Sequence, residues 1–349
     1  MPAGNGWGPL MPSSVGSVIG STIMAAIVIF ALATSMAYMT LIERKVVGRI
    51  QVRFGPNRVG PFGFFQPLAD VIKLILKEDI VPAQADRPVF TLAPMISLVV
   101  AFAAFAVIPF GNVLSVFGWS VPLRVADVNV GILYIFAVSE LGVYGIVLGG
   151  WASNNKYSLL GGVRSSAQII SYALAMGISI VGVLIITGSL SMDAIVRHQS
   201  GFWISFVPRW NIFVQPVAFV IYVLAAVAEV NRAPFDLPEA EQELVAGYHT
   251  EYSSMRFAMY FMAEYINMIT VSAVAATVFL GGWNGWNVAG GLPWFLLKVA
   301  AYLYFFIWLR ATLPRLRYDR LMKFGWYVLL PLGLLNLAVT AVVVVVGNY

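Results

Sequence analysis

The fold class this sequence predicts is an all-α integral membrane protein of eight transmembrane helices, and three observations carry it. Sixty per cent of the 349 residues are hydrophobic and only 11% are charged, less than half the roughly 25% of a soluble domain; the mean hydropathy is +0.84. Apolar runs close to the ~20 residues that cross a bilayer recur along the whole chain. Basic residues gather in alternate connecting loops, as cytoplasmic loops do.

A window of about 19 residues picks out Val18–Leu41, Val89–Phe110, Val128–Gly150, Ala167–Gly188, Ile212–Val230, Phe257–Leu280, Leu292–Leu309 and Gly325–Val346. Most contain Gly and Ala, the composition of helices packed in a bundle. The stretch before the first, Met1–Ser17, is rich in Gly, Pro and Ser and lacks Lys and Arg. A signal peptide starts basic, so the first apolar segment is expected to be retained as a span. Loops 42–88, 151–166, 231–256 and 310–324 hold eight, two, two and five Lys or Arg, against Arg124, Arg197 and Arg209 on the other side and Lys298 inside the seventh span. The expected topology is therefore a single polytopic domain over residues 1–349, with those four loops cytoplasmic and both termini periplasmic.

Within the first loop, Phe62–Lys77 places Gln66, Asp70, Lys73 and Lys77 on one stripe and Phe65, Leu68, Ile72, Ile75 and Leu76 on the other faces. That predicts an amphipathic helix lying in the interface plane. A plain surface anchor accounts for the pattern equally well.

Cysteine is absent and histidine occurs only at 198 and 249, on opposite expected sides. A thiolate-held iron–sulfur cluster is excluded, and neither a haem nor a zinc site is expected. Redox chemistry, if any, must draw its electrons from a partner. No phosphate-binding GxxxxGK[ST] loop is present.

An ionisable group inside a span costs about 2.5–3.5 kcal/mol on insertion scales, so each needs a reason. Glu140 lies mid-way along the third segment, Glu264 two turns into the sixth, and Glu43 and Glu229 at the cytoplasmic ends of the first and fifth, with Tyr38, Tyr144, Tyr260 and Tyr265 near them in sequence. A carboxyl away from water can hold a proton near neutral pH and pass it on. Structural hydrogen bonds or ion pairs explain any one of them; four on one half of a bundle favour a proton-conducting polar path. The loop after the fifth segment carries Asp236, Glu239, Glu241, Glu243 and Glu251 against Arg232 and Arg256, contrary to the charge trend. A solvated charge run is the plain reading; Phe235, Pro234 and Pro238 among the acids favour a shaped loop. The first loop is its complement, with Arg44, Arg49, Arg53 and Arg58 interleaved with Gly and Pro.

Two long stretches, Gly63–Glu78 (GFFQPLADVIKLILKE) and Pro234–Gly247 (PFDLPEAEQELVAG), resemble signature motifs of the H-subunit family of bacterial NADH–quinone oxidoreductases, which includes mitochondrial NADH dehydrogenase subunit 1. Shorter matches follow in family order: Glu43–Lys45, Gly55–Gly60, Trp151–Asn154, Ala167–Gln168, Met262–Tyr265 and Arg315–Asp319. The resemblance covers nearly the whole chain. It implies a membrane subunit of respiratory complex I, part of an enzyme and not catalytic alone. Such a chain supplies most of the tunnel through which the ubiquinone tail enters from the bilayer and begins the path coupling quinone reduction to proton translocation. Quinone is then the substrate. Flavin and iron–sulfur clusters reside in partner subunits, namely the peripheral-arm quinone-site subunits, with small membrane subunits alongside. The expected location is the bacterial inner membrane before the mitochondrial one, with no nucleic-acid partner.

By matching motif, the resemblance assigns Arg44, Arg53, Phe65 and Asp70 to the quinone tunnel. It assigns Asp236, Glu239, Glu241, Glu243, Glu251 and Tyr252 to the acidic loop, and Glu229, Arg232, Glu264, Arg310, Arg315 and Arg317 to the polar path, which Glu43 and Glu140 join. One departure stands out: the family commonly reads Ser-Tyr-Glu in the fourth span, and this chain reads Ser171, Tyr172, Ala173. Glu140 or water is expected to fill that gap. Three rivals remain: a homologous membrane anchor of an energy-converting hydrogenase or other quinone-linked dehydrogenase, a secondary transporter with Glu140 as its ion site, and an inert scaffold. No internal repeat of the transporter kind is visible.

Overall fold

A computed structural model of the chain describes residues 13–116, 119–204, 207–237, 245–285 and 289–347. Seven of its helices are long and apolar enough to cross a membrane. They are α1 (Ser13–Ile50), α3 (Arg87–Phe105), α4 (Gly131–Ala152), α5 (Lys156–Thr187), α9 (Ser254–Phe279), α10 (Leu292–Thr312) and α11 (Tyr318–Gly347). The amphipathic α2 (Gln66–Leu76) and the short α6 (Met192–His198), α7 (Asn211–Val214) and α8 (Pro216–Glu229) are the other α-helices among the described residues. Two small antiparallel hairpins, β1 (Val113–Val116) with β2 (Trp119–Pro122) and β3 (Phe202–Ile204) with β4 (Val207–Pro208), lie in the connections after α3 and α6.

Local chemistry sets the ends. Asn155 caps α5, its side chain accepting from Tyr157 N at 2.9 Å, and Gly188 ends that helix in the left-handed conformation at φ 65°, which glycine adopts without strain. Asp86 caps α3, and Pro216 opens α8 at the first turn, where its missing N–H costs nothing. Helix α1 continues nine residues past the apolar boundary at Leu41, because Glu43, Arg44, Lys45 and Arg49 are helix formers that leave the hydropathy window without leaving the helix. The fifth apolar segment differs most. It folds as α7 and α8, broken at Gln215, whose amide donates to Thr340 Oγ1 at 2.7 Å and accepts from Asn336 Nδ2 at 2.8 Å. Side chains of α11 thus satisfy the break inside the apolar layer.

Helix α9 is the axis of the bundle: 78% of its apolar window is buried, against 17% for α11. Ser272, Ala273, Ala275, Ala276 and Thr277 let neighbours approach its backbone. Around it pack α3, α1 and α10; α4 joins α3 to α5, and α5 carries α8 and α11. The outer helices present Ile23, Ile27, Phe30, Val339, Val342 and Val343 outward, the surface of a protein dissolved in hydrocarbon.

Candidate functional site

The end of α1 and the turn that follows it build one wall of a chamber of about 1100 Å³. Val52 at φ 56° reverses the chain, and Arg53 N closes onto Gly48 O at 2.8 Å. Gly55 then lies so close to α1 that an added Cβ would sit 2.9 Å from Lys45 Cα. Lys45 Nζ donates to Phe62 O, and Gly63, at φ 76°, has Pro56 O where a Cβ would go. These contacts hold Arg44, Arg53 and Arg58 around the chamber beside Phe54 and Val47, with Phe261, Tyr265, Arg310 and Ala311 of α9 and α10 opposite. Arg44 pairs with Asp70 of α2 at 2.8 Å, and Gln66 donates to the other Asp70 oxygen at 3.0 Å, tying α2 to α1. The amphiphilic lining suits a molecule with a polar head and an apolar tail.

Glu43, buried in the chamber wall, is the hub of an ion-pair cluster. Arg232 grips it with two parallel bonds, each 3.2 Å, Arg310 donates to the same carboxylate, and Tyr265 Oη donates to it at 2.6 Å. Arg232 Nε also pairs with Glu264 at 2.9 Å, and its guanidinium lies 4.4 Å from the Tyr265 ring centroid. Burial disfavours the Arg232 charge, yet Glu264 and Glu43 outweigh it and raise its pKa. The fork geometry that holds two carboxylates at once belongs to arginine and not to lysine.

Beyond Glu264 lies a small cavity of about 60 Å³ with a mixed lining, where Ser97 of α3, Ser139 of α4, Glu229, Asn231, Tyr260 and Thr270 meet Val143, Ile146 and Val271. Glu264 faces both the cluster and this cavity. A buried Gln168 donates to Ala228 O at 2.7 Å and Phe235 O at 2.8 Å, clamping the turn that carries Glu229 and Arg232. Among the described residues no group of three His, Asp or Glu side chains could hold a metal ion.

Residues 23–341 match the model of the family described as NADH dehydrogenase. The chain is 56% identical over 329 residues to the H subunit of the NADH-quinone oxidoreductase of Thermomicrobium roseum, covering 93% of this chain and 96% of that one. It is 54% identical to the H subunit from Syntrophotalea carbinolica, over 91% of this chain and 94% of the other. With the H subunit from Protochlamydia amoebophila the figures are 54%, 88% and 92%. The chain belongs to the H-subunit family of NADH–quinone oxidoreductases.

In this member of the H-subunit family the assigned residues fall into three places. Glu43, Arg44, Arg53 and Arg310 line the chamber, with Asp70 fastened to Arg44 and Phe65 on the turn before α2, half exposed. Arg232 and Glu264 join them through the ion-pair cluster, and Glu229 lines the small cavity beyond it. Glu140, next to Ser139 on α4, is near enough to Glu229 to interact with it electrostatically. Glu251 and Tyr252 stand apart: Glu251 accepts from Asn155 at 2.6 Å, and Tyr252 stacks on Phe90 with centroids 4.0 Å apart. Burial pushes the Tyr252 phenol up to about 12. Asp236 begins the acidic loop where Leu316 N donates to Pro234 O at 3.1 Å, which brings the Arg315 segment beside it; Arg317 is exposed and pairs with Asp319 at 3.3 Å. Glu239, Glu241 and Glu243 lie outside the described residues. Hydropathy and charge flagged neither Ser97, Asn231, Asn267 nor Thr270, because uncharged polar groups barely disturb an apolar window; Gln168 was visible only as part of the Ala167–Gln168 motif.

Proposed function

We propose that this chain forms the quinone-access chamber, and the first part of the proton-coupling path, of a bacterial proton-pumping NADH–quinone oxidoreductase. The single observation that carries the reading is the chamber of about 1100 Å³ whose wall is Glu43, the carboxylate shared by Arg232, Arg310 and Tyr265. Its relatives' names supply the enzyme, and its basic, partly apolar lining suits a quinone such as ubiquinone, whose carbonyls accept from arginine while the tail lies on Val47, Phe54 and Phe261. Electrons come from an iron–sulfur cluster in a peripheral-arm partner, and the flavin lies further along that arm. This chain contributes the binding site and the proton route, together with small membrane subunits.

Reduction to quinol takes up two electrons and two protons, and the change in charge beside Glu43 is passed through Arg232 to Glu264 and the cavity at Glu229, with Glu140 next in line. Asp236, Glu239, Glu241, Glu243, Glu251 and Tyr252 shape the cytoplasmic approach, and Arg315 and Arg317 flank it. The protein sits in the inner membrane with eight crossings, α7 and α8 together making the fifth, and with both termini in the periplasm.

The test is to replace Glu43 by Gln, and separately Asp236 by Asn, in the chromosomal copy and assay membranes. NADH oxidation by quinone is expected to fall roughly tenfold or more, the loss of at least ~1.4 kcal/mol of transition-state stabilisation. NADH oxidation by a hydrophilic artificial acceptor, which needs only the peripheral arm, is expected to stay at the parental rate. Full quinone activity in both variants would remove the chamber wall and the loop from the reaction.

A further inference from the structure

Four of the side chains lining the 60 Å³ cavity hold a buried oxygen with no hydrogen-bond partner among the described residues: Ser97 Oγ, Glu229 Oε2, Asn231 Oδ1 and Thr270 Oγ1. They come from α3, the end of α8, the turn after it and α9. Ser97 and Thr270 are only 6% and 2% exposed. More than nine buried polar groups in ten normally find a partner, so four orphans on one small cavity point at an occupant. The lining contains no Lys, Arg or His. Glu264 is matched by Arg232 at 2.9 Å, whereas Glu229 has no basic partner among the described residues, and Glu140 adds to the negative field there.

We propose that this cavity binds one small monovalent cation of sodium type, held by Glu229, Asn231, Ser97 and Thr270. Carboxylate, amide and hydroxyl oxygens are the donors that hard cations select. Within the lining, Glu229 is the one carboxylate without a basic partner among the described residues, so the donors themselves balance one positive charge and favour a monovalent ion. A single water needs only about 10–15 Å³ of such space, so the cavity has room for a dehydrated cation with water beside it. A cation and a proton then compete for the same Glu229 oxygen, and the polar path acquires a sensitivity to sodium that no sequence pattern announces.

Dicyclohexylcarbodiimide reacts with a protonated carboxyl in an apolar site, and peptide mass spectrometry can follow its addition at Glu229 in the intact, membrane-bound complex. At constant ionic strength, replacing choline chloride by sodium chloride is expected to slow labelling of Glu229 about tenfold when sodium is ten times its dissociation constant, and more sodium is expected to be needed at lower pH. Potassium, being larger, is expected to protect less. Thr270→Val and Ser97→Ala should each keep Glu229 reactive and weaken the protection by sodium; two sites guard against a fold defect in one. Equal labelling in sodium and choline across the pH range, meaning a cavity that holds water only, would overturn the proposal, as would protection unchanged in both variants. Labelling needs no quinone turnover, so this outcome is independent of the quinone reading.

Discussion

Arg232 shows how much one side chain can hold. Its guanidinium spans Glu43 at 3.2 Å on both nitrogens, Glu264 at 2.9 Å and the Tyr265 ring, so three segments of the chain converge on a single planar group. The raised pKa keeps it charged throughout the physiological range. Removing one member of a buried ion pair leaves its partner charged and unmatched, at a cost of about 3–5 kcal/mol. Arg232→Met is therefore expected to lower the amount of assembled complex in membranes and to abolish its quinone reductase activity. Arg232→Lys keeps the charge but loses the fork, and is expected to assemble well while turning over slowly. Equal subunit content and equal activity in the two variants would show that the cluster is not built around this charge. Glu43, Arg232 and Arg310 stand in the sequence at the edges of apolar runs and Glu264 two turns inside one. Their convergence is not legible there, because residues 43, 232, 264 and 310 meet only through the packing of α1, α9, α10 and the turn after α8.

At the scale of elements, the spans themselves were the readable part, since hydrocarbon demands a continuous apolar surface. Their ends were less so: α1 runs on to Ile50 and α5 begins at Lys156, both continuing through polar residues that leave the window but keep the backbone bonded. Lys298 stood out in the sequence as a lone charge inside a span. In the structure its three N–H groups donate to Leu280 O at 2.6 Å, Gly282 O at 2.8 Å and Asn284 O at 3.0 Å, with the Trp210 and Trp294 rings around it. A cation at the negative end of a helix dipole is favourable, and here it ties α10 to the end of α9. Lys298→Met orphans three carbonyls at about 1–3 kcal/mol each. The expected result is a lower unfolding temperature of the purified complex with an unchanged KM for quinone, because Leu280 is sixteen residues, or about 24 Å of helix, from Glu264. A shifted KM without a thermal effect would place Lys298 in the chemistry instead.

For the whole molecule, sidedness turns on the fifth apolar segment. Helix α8 has 14 residues, about 21 Å at 1.5 Å per residue, which falls short of a hydrocarbon layer of about 30 Å. With the four residues of α7 and Gln215 the stretch 211–229 falls within the roughly 17–25 residues of a crossing helix, and the break is hydrogen-bonded by Asn336 and Thr340, so the pair has both the length and the polar satisfaction to cross. If it does not cross, the two ends of the segment lie on one side and the termini on opposite sides, and the alternation of basic loops loses its meaning. The chain contains no cysteine, so single cysteines report without background. Arg209→Cys, just before α7, and Val245→Cys, exposed beyond α8, are expected to react with a membrane-impermeant maleimide from opposite faces: Arg209→Cys in intact spheroplasts, Val245→Cys only in inverted vesicles. Labelling of both from the same face would leave seven crossings and move one terminus into the cytoplasm. Arg232 would still grip Glu43 as it does here, but the alternation of basic loops would no longer assign that face to the cytoplasm, so the sidedness of this one broken segment decides whether the polar route faces a cytoplasmic quinone site.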